Sequence, residues 1–176
     1  IRRSTVTDQG ILHFEQNHKN STIVVGTKAD EGGEPSRGVF ELVTDGSYFH
    51  QVAGAQMHIA NGVPNASAPA FNLQLDASQT NLEESSVLIF GDGSTGIDQD
   101  MGLHSSVPLK NIELDDVSGN NPKVTLQTVA LTADTLDIAG DAELDANGLN
   151  LTLEGDMNIA GTYTPGGNTT FFSGDN

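Results

Sequence analysis

Val124/Leu126, Val129/Leu131, Leu136/Ile138, Ala142/Leu144, Leu149/Leu151/Leu153 and Met157/Ile159 are apolar residues set two apart. In an extended strand, alternate side chains share a face, so each pair or triplet marks a short strand with one buried side. The units are three to five residues long and recur every five to eight residues, with Gly, Asn or Asp between many of them. That spacing is tighter than a β-sandwich uses, where turns come about every 8–12 residues. No stretch carries an apolar i, i+3, i+4, i+7 pattern with caps, so almost no helix is expected.

A repeat underlies the alternation. Leu131-Thr132 recurs as Leu151-Thr152 after 20 residues, and Ile138-Ala139-Gly140 recurs as Ile159-Ala160-Gly161 after 21. Ile59-Ala60-Asn61-Gly62 and Ile89-Phe90-Gly91-Asp92-Gly93 close similar strands earlier. Several short strands per period of about 20 predict an all-β chain, a right-handed parallel β-helix of stacked rungs with protruding loops. Leucine-rich repeats have a similar period, but their consensus is missing. The length gives about 8 rungs, a stack roughly 40 Å long at strand spacing. Each rung buries a row of small and aliphatic side chains, and its corners need Gly and Asn, as at Asn61-Gly62 and Asn147-Gly148. Thr125, Gln127, Thr132, Asp137 and Asn150 are the outward residues.

The whole of 1–176 is expected to be one β-helix segment of a longer chain, with 1–40 less regular or capping. Loops are expected at 28–38, 61–69 and 91–108, and loops on a rigid stack are where binding resides.

Charge narrows the partners. The formal net charge is −17. Beyond residue 40 only Lys110 and Lys123 stand against 19 acids, whereas Arg2, Arg3, Lys19, Lys28 and Arg37 balance five acids before it. Such a surface repels phosphate, so neither nucleic acid nor an anionic membrane is an expected partner. No run of 18 apolar residues exists to insert in a bilayer. Cys is absent, which removes disulfides and thiol chemistry but does not fix the compartment.

Gly46 to Gly62, Val87 to Gly93 and above all Val124 to Gly174 resemble the rungs of large repetitive surface proteins of Bacteroidota. The matching residues are Leu136-Asp137, Asn147-Gly148, Leu151-Thr152-Leu153-Glu154-Gly155-Asp156, Gly161-Thr162-Tyr163-Thr164-Pro165-Gly166-Gly167 and Phe172-Ser173-Gly174. The resemblance covers most of 40–176. It implies a right-handed β-helix in a filamentous-haemagglutinin-like adhesin, secreted by the type IX pathway to the cell surface or beyond. It supplies no catalytic residues.

Candidate chemistry is sparse. Asp92, Asp98 and Asp100 lie within nine residues among Gly and Ser. Calcium takes several oxygen ligands, which alternating acids on such a loop can supply, though a solvated acidic loop explains them too. No other cofactor is expected. Asp115-Asp116 are strand neighbours and point to opposite faces, so they do not converge as glycosidase carboxylates do. His50 and His58, eight apart, could share a face, and half-buried rung positions are the simpler account. Among the aromatics, Tyr48, Phe49, Phe71, Phe90, Tyr163, Phe171 and Phe172 fill the coil or else form an exposed sugar-stacking row. Four N-x-S/T sequons begin at Asn20, Asn65, Asn150 and Asn168. Asp134-Thr135-Leu136 resembles the O-glycosylation sequence used by Bacteroidota, which implies Thr135 as the acceptor.

These observations favour a structural and adhesive segment without catalysis. Its partners are other segments of the same chain and surface glycans or proteins. A β-helix carbohydrate-active enzyme or glycan-binding module is the alternative, and a head-to-tail filament subunit is a third.

Overall fold

The computed structural model describes residues 13–25, 40–43, 46–62, 68–91, 95, 100–115 and 121–174. Among them are seventeen strands and one 3-10 turn, Ala77–Gln79. Every strand pair is parallel, and the strands form three sheets that line one coil.

Sheet A holds β1 (His13–Gln16), β4 (Tyr48–Gln51) and β7 (Thr80–Leu82). Sheet B runs through β2 (Thr22–Val25), β5 (Gln56–Ile59), β8 (Val87–Phe90), β10 (Leu109–Leu114), β12 (Leu131–Ile138), β14 (Leu151–Leu153) and β17 (Thr170–Phe172). β15 (Met157–Ile159) also pairs with β12. Sheet C holds β3 (Phe40–Leu42), β6 (Pro69–Leu73), β9 (Asp100–Ser105), β11 (Lys123–Leu126), β13 (Glu143–Asp145) and β16 (Thr162–Thr164). The architecture is a parallel β-helix, as the period-2 units predict.

The rungs are not uniform. Register partners are 35 residues apart at His13/Tyr48, 34 at Ile23/Met57, 31 at Met57/Leu88, 24 at Leu88/Ile112 and Ile112/Leu136, 20 at Leu131/Leu151 and 19 at Leu151/Thr170. The period near 20 therefore holds only for the C-terminal rungs. The earlier rungs are longer because their connections are, 26–39 and 74–79 against 154–156 and 160–161; sheet A ends at β7, but β13, β14 and β15 still give a three-stranded rung, β14 and β15 pairing separate parts of β12. Among the described residues sheet B has eight strands, seven of them along its main path.

This taper sorts the core. In the rungs that are long in sequence, large rings fill the interior to native density. Phe14, Phe40, Phe49 and Phe71 sit in the long-rung half, at most 7% exposed. Phe14 and Phe49 are register partners and stack at 5.4 Å, and so do Phe40 and Phe71 at 5.3 Å. The short-rung half is filled by aliphatic ladders such as Ile112–Leu136 and Val124–Leu144. The aromatics thus divide. Phe49, Phe71 and Phe90 point inward, Tyr48 and Tyr163 are half-buried, and Phe171 and Phe172 are exposed.

Buried glutamines inside the coil are paired. At the corner between sheets A and B, Gln51 Nε2 donates to Gln16 Oε1 at 3.0 Å. Gln16 Nε2 donates in turn to the Ser21 and Gln56 carbonyls at 2.8 and 2.9 Å. Such amide ladders satisfy main-chain groups that a corner leaves without a strand partner. Asn147 and Gly148, at φ 51° and 73°, form the left-handed turn their sequence predicts.

One expected loop is in part a strand. Residues 100–105 of the 91–108 stretch are β9, where Met101 and Leu103 align with Val124 and Leu126. Gly102 and the polar His104 between them hid that alternation. Of the 28–38 loop, nothing lies within the described residues.

Candidate functional site

The exterior is organised by register. Outward residues of successive rungs stand about 4.8 Å apart, so residues 20–35 apart in sequence become neighbours. Lys110 Nζ lies 2.8 Å from Asp134 Oδ2 on the next rung. The hydrogen bond to Asp134 holds the Lys110 ammonium above its ordinary pKa, against the opposing effect of desolvation. Lys123 Nζ lies 3.4 Å from Glu143 Oε1 and 3.3 Å from Asp145 Oδ2. Both lysines of the acidic region therefore bridge acids between rungs. Partly exposed pairs of this kind contribute little each, up to about 1 kcal/mol. The net charge of −17 outweighs them. Raising NaCl from 0.05 to 0.5 M is expected to raise Tm by about 2–5 °C, as screening of self-repulsion exceeds the loss of these pairs. A fall in Tm measured by circular dichroism would show that the ion pairs dominate.

The sequence-predicted residues are dispersed. Asp92 and Asp98 lie outside the described residues. Asp100 opens β9, is exposed, and accepts a hydrogen bond from Thr125 Oγ1 at 3.2 Å. Its register partner is Lys123. Among the described residues no group of three His, Asp or Glu could hold a metal ion. Asp115 directly follows β10, and Asp116 lies outside the described residues. His50 and His58 do not share a face: His50 is on β4 of sheet A and His58 on β5 of sheet B. The turn at 52–55 carries the chain from one sheet to the other between them. His50 Nε2 approaches Glu83 Oε1 at 3.6 Å, and His58 Nδ1 lies 3.2 Å from the Gly91 carbonyl. His104 is buried on β9. Burial lowers its pKa, against the raising effect of a hydrogen bond to the Gln127 main chain.

Thr135 lies in β12 where its buried alternation slips by one residue, between the part that pairs β14 (Leu131–Ala133) and the part that pairs β15 (Leu136–Ile138). It is half-buried and its Oγ1 donates to Asn111 Oδ1 at 2.7 Å. It lines a groove of about 290 Å³ on the outer face of sheet B, with Asn111, Glu113, Asp137, Asp156 and Asn158.

Within that groove Glu113 and Asp137 are register partners on β10 and β12. On the other side Glu113 faces Ile89, which is buried. Loss of water raises the Glu113 carboxyl above its ordinary range, the charges of Asp137 and Asp115 raise it further, and His58 acts in the opposite sense. Asn158 Nδ2 donates to both Asp137 oxygens at 3.3 Å. The groove thus sets a carboxyl that holds its proton more tightly beside one that accepts hydrogen bonds from Asn158. The two acids are 24 residues apart, and only the register, not the local sequence, brings them together.

The sign of the pH effect follows. A carboxyl raised on folding contributes most below its unfolded pKa, and that contribution is lost as pH rises through the folded value. Glu113→Gln is therefore expected to raise Tm at pH 7 by about 2 °C. The difference from wild type should vanish below pH 4, as read by thermal melts across pH 3–8. A variant less stable at pH 7 would contradict the desolvated placement of Glu113.

No family model matches the chain, and no curated protein or solved structure matches it either. Among the described residues, no helix is long and apolar enough to cross a membrane.

Proposed function

We propose that the chain is a structural, adhesive segment of an extracellular or cell-surface repeat protein, a rigid coil that extends reach and presents loops. The observation that carries this reading is the division of the described rungs into an apolar interior and a polar exterior, acid-rich from Asp76 onward, joined by main-chain ladders. Stacked ladders resist bending, and the acidic exterior opposes lateral association between shafts. The resemblance to Bacteroidota adhesins supports the same reading, and type IX secretion, partner segments of the same chain and surface glycans or proteins belong to it. Calcium bound at Asp92, Asp98 and Asp100 would stiffen one loop. A melt in calcium and in EDTA tests that: a shift of several degrees favours the site, and identical curves count against it.

The Glu113–Asp137 pair favours one second reading, a glycan-cleaving or glycan-binding face. Paired carboxyls facing one groove are what glycoside hydrolysis uses. Incubating the chain with a polysaccharide panel and measuring reducing ends separates the two. Turnover abolished by Asp137→Asn would replace the structural reading, and no turnover on any polymer leaves the shaft.

A further inference from the structure

The end of sheet A leaves a ledge part-way along the coil. Sheets B and C continue past β7, but no described strand lies on its outer edge. Beyond β9 the chain crosses from sheet C to sheet B through residues 106–108 without forming a further sheet A strand. The edge is thus created by the path of the chain itself, with chain on either side of it.

The main-chain groups on that edge can be assigned. Glu83 N donates to the Gln51 carbonyl of β4 at 3.0 Å. Successive residues of a strand turn their backbone groups to opposite sides, so the Leu82 amide and carbonyl point away from β4. Beside this edge is a groove of about 440 Å³, with Leu75, Val107 and Pro108 supplying apolar surface and Gln74 and Asp76 polar surface. Asp76 is exposed in its lining and Glu84 is exposed at the far end of β7, where Lys110 is the nearby cation; Glu83 turns its carboxylate the other way, to Ala53 N and His50. A free strand edge takes an extended peptide through main-chain hydrogen bonds. An acidic rim selects a peptide of opposite charge and repels an acidic one, a second copy of this chain included.

We propose that the ledge beyond β7 is a docking site for an extended, lysine- or arginine-bearing segment of a partner protein, which joins sheet A as a fourth strand. The site would make the shaft a lateral attachment point as well as a spacer. The edge is three residues long, so the added strand forms few hydrogen bonds and binding is reversible and salt-sensitive.

The test uses the full chain and a synthetic peptide, Lys-Val-Thr-Val-Thr-Val-Lys, followed by amide NMR. The expected result is saturable binding with shifts confined to 74–86 and 106–108 and slowed exchange of the Leu82 amide. Glu84→Lys, at an exposed position, should weaken binding about fivefold. Asp141→Lys, an exposed charge change elsewhere, should leave it unchanged. The same peptide methylated on alternate amides should not bind, since it cannot pair as a strand. Absence of binding, or equal binding of the methylated peptide with shifts spread over the acidic surface, would overturn the proposal.

Discussion

Phe71→Ala is expected to destabilise the protein by about 3–5 kcal/mol, the range for deleting a fully buried ring and leaving its cavity. Phe71 is 1% exposed. Its ring lies 5.3 Å from Phe40 at 12° and 6.2 Å from Phe49 at 66°. The β-ladders on both sides hold the wall in place, so the space cannot close by a shift of one strand. For a domain of this size, Tm should fall by about 8–15 °C. Urea unfolding followed by circular dichroism measures it. Phe172→Ala offers the contrast, because that ring is 65% exposed on β17. Its loss should change stability by no more than about 0.5 kcal/mol. Equal effects at the two positions would refute the division of the aromatics between core and surface.

Gly161→Ala is the second large effect. A Cβ at Gly161 would fall inside the contact distance of the Ala139 and Ala142 carbonyl oxygens. Both are main-chain atoms. Ala142 O accepts from Thr162 N, and Ala139 O accepts from Ala142 N. Neither can move without loosening the turn between β12 and β13 or the ladder between β13 and β16. Overpacking of this kind costs about 1–3 kcal/mol. The loss should be local, with faster amide exchange in β15, β16 and β17 and little change in the long rungs. A variant as stable as wild type, with unchanged exchange, would contradict the close approach.

The fold class was legible because alternation and a 20-residue echo are both local signals. Leu131-Thr132 and Leu151-Thr152 are indeed register partners. The taper was not legible, since the longer rungs share no such dipeptide with their neighbours. Phe40 and Phe71 align across 31 residues with only their own type in common. β9 was missed because Gly102 and His104 break its apolar pattern, although both are buried. Ile159 and Phe172 sit in the inward rows of Ile138 and Leu153 and are still exposed, since no described strand stacks upon them.

The site was less legible than the fold. Acids close in sequence, such as Asp115 and Asp116, attract notice, but in a coil proximity is set by rung length. Glu113 and Asp137 become neighbours only once the 24-residue spacing of their rungs is known. The same holds for Lys110 and Asp134, 24 apart, and for Lys123 and Glu143, 20 apart. Thr135 was noticed for its local sequence, which carried no information about the Asn111 hydrogen bond that occupies its hydroxyl proton.

Cysteine pairs test the tapered coil most directly, because the native chain has no Cys to compete. Parallel neighbours stand about 4.8 Å apart, within the Cα range a disulfide spans. Glu41→Cys with Asn72→Cys probes a 31-residue rung, and Thr125→Cys with Asp145→Cys probes a 20-residue one. Glu41→Cys with Asn61→Cys is the control for a uniform 20-residue period. Mild oxidation should close the first two pairs and leave the control reduced. Closure of the control in place of the Glu41/Asn72 pair would contradict the taper, and failure of both registered pairs would contradict the coil.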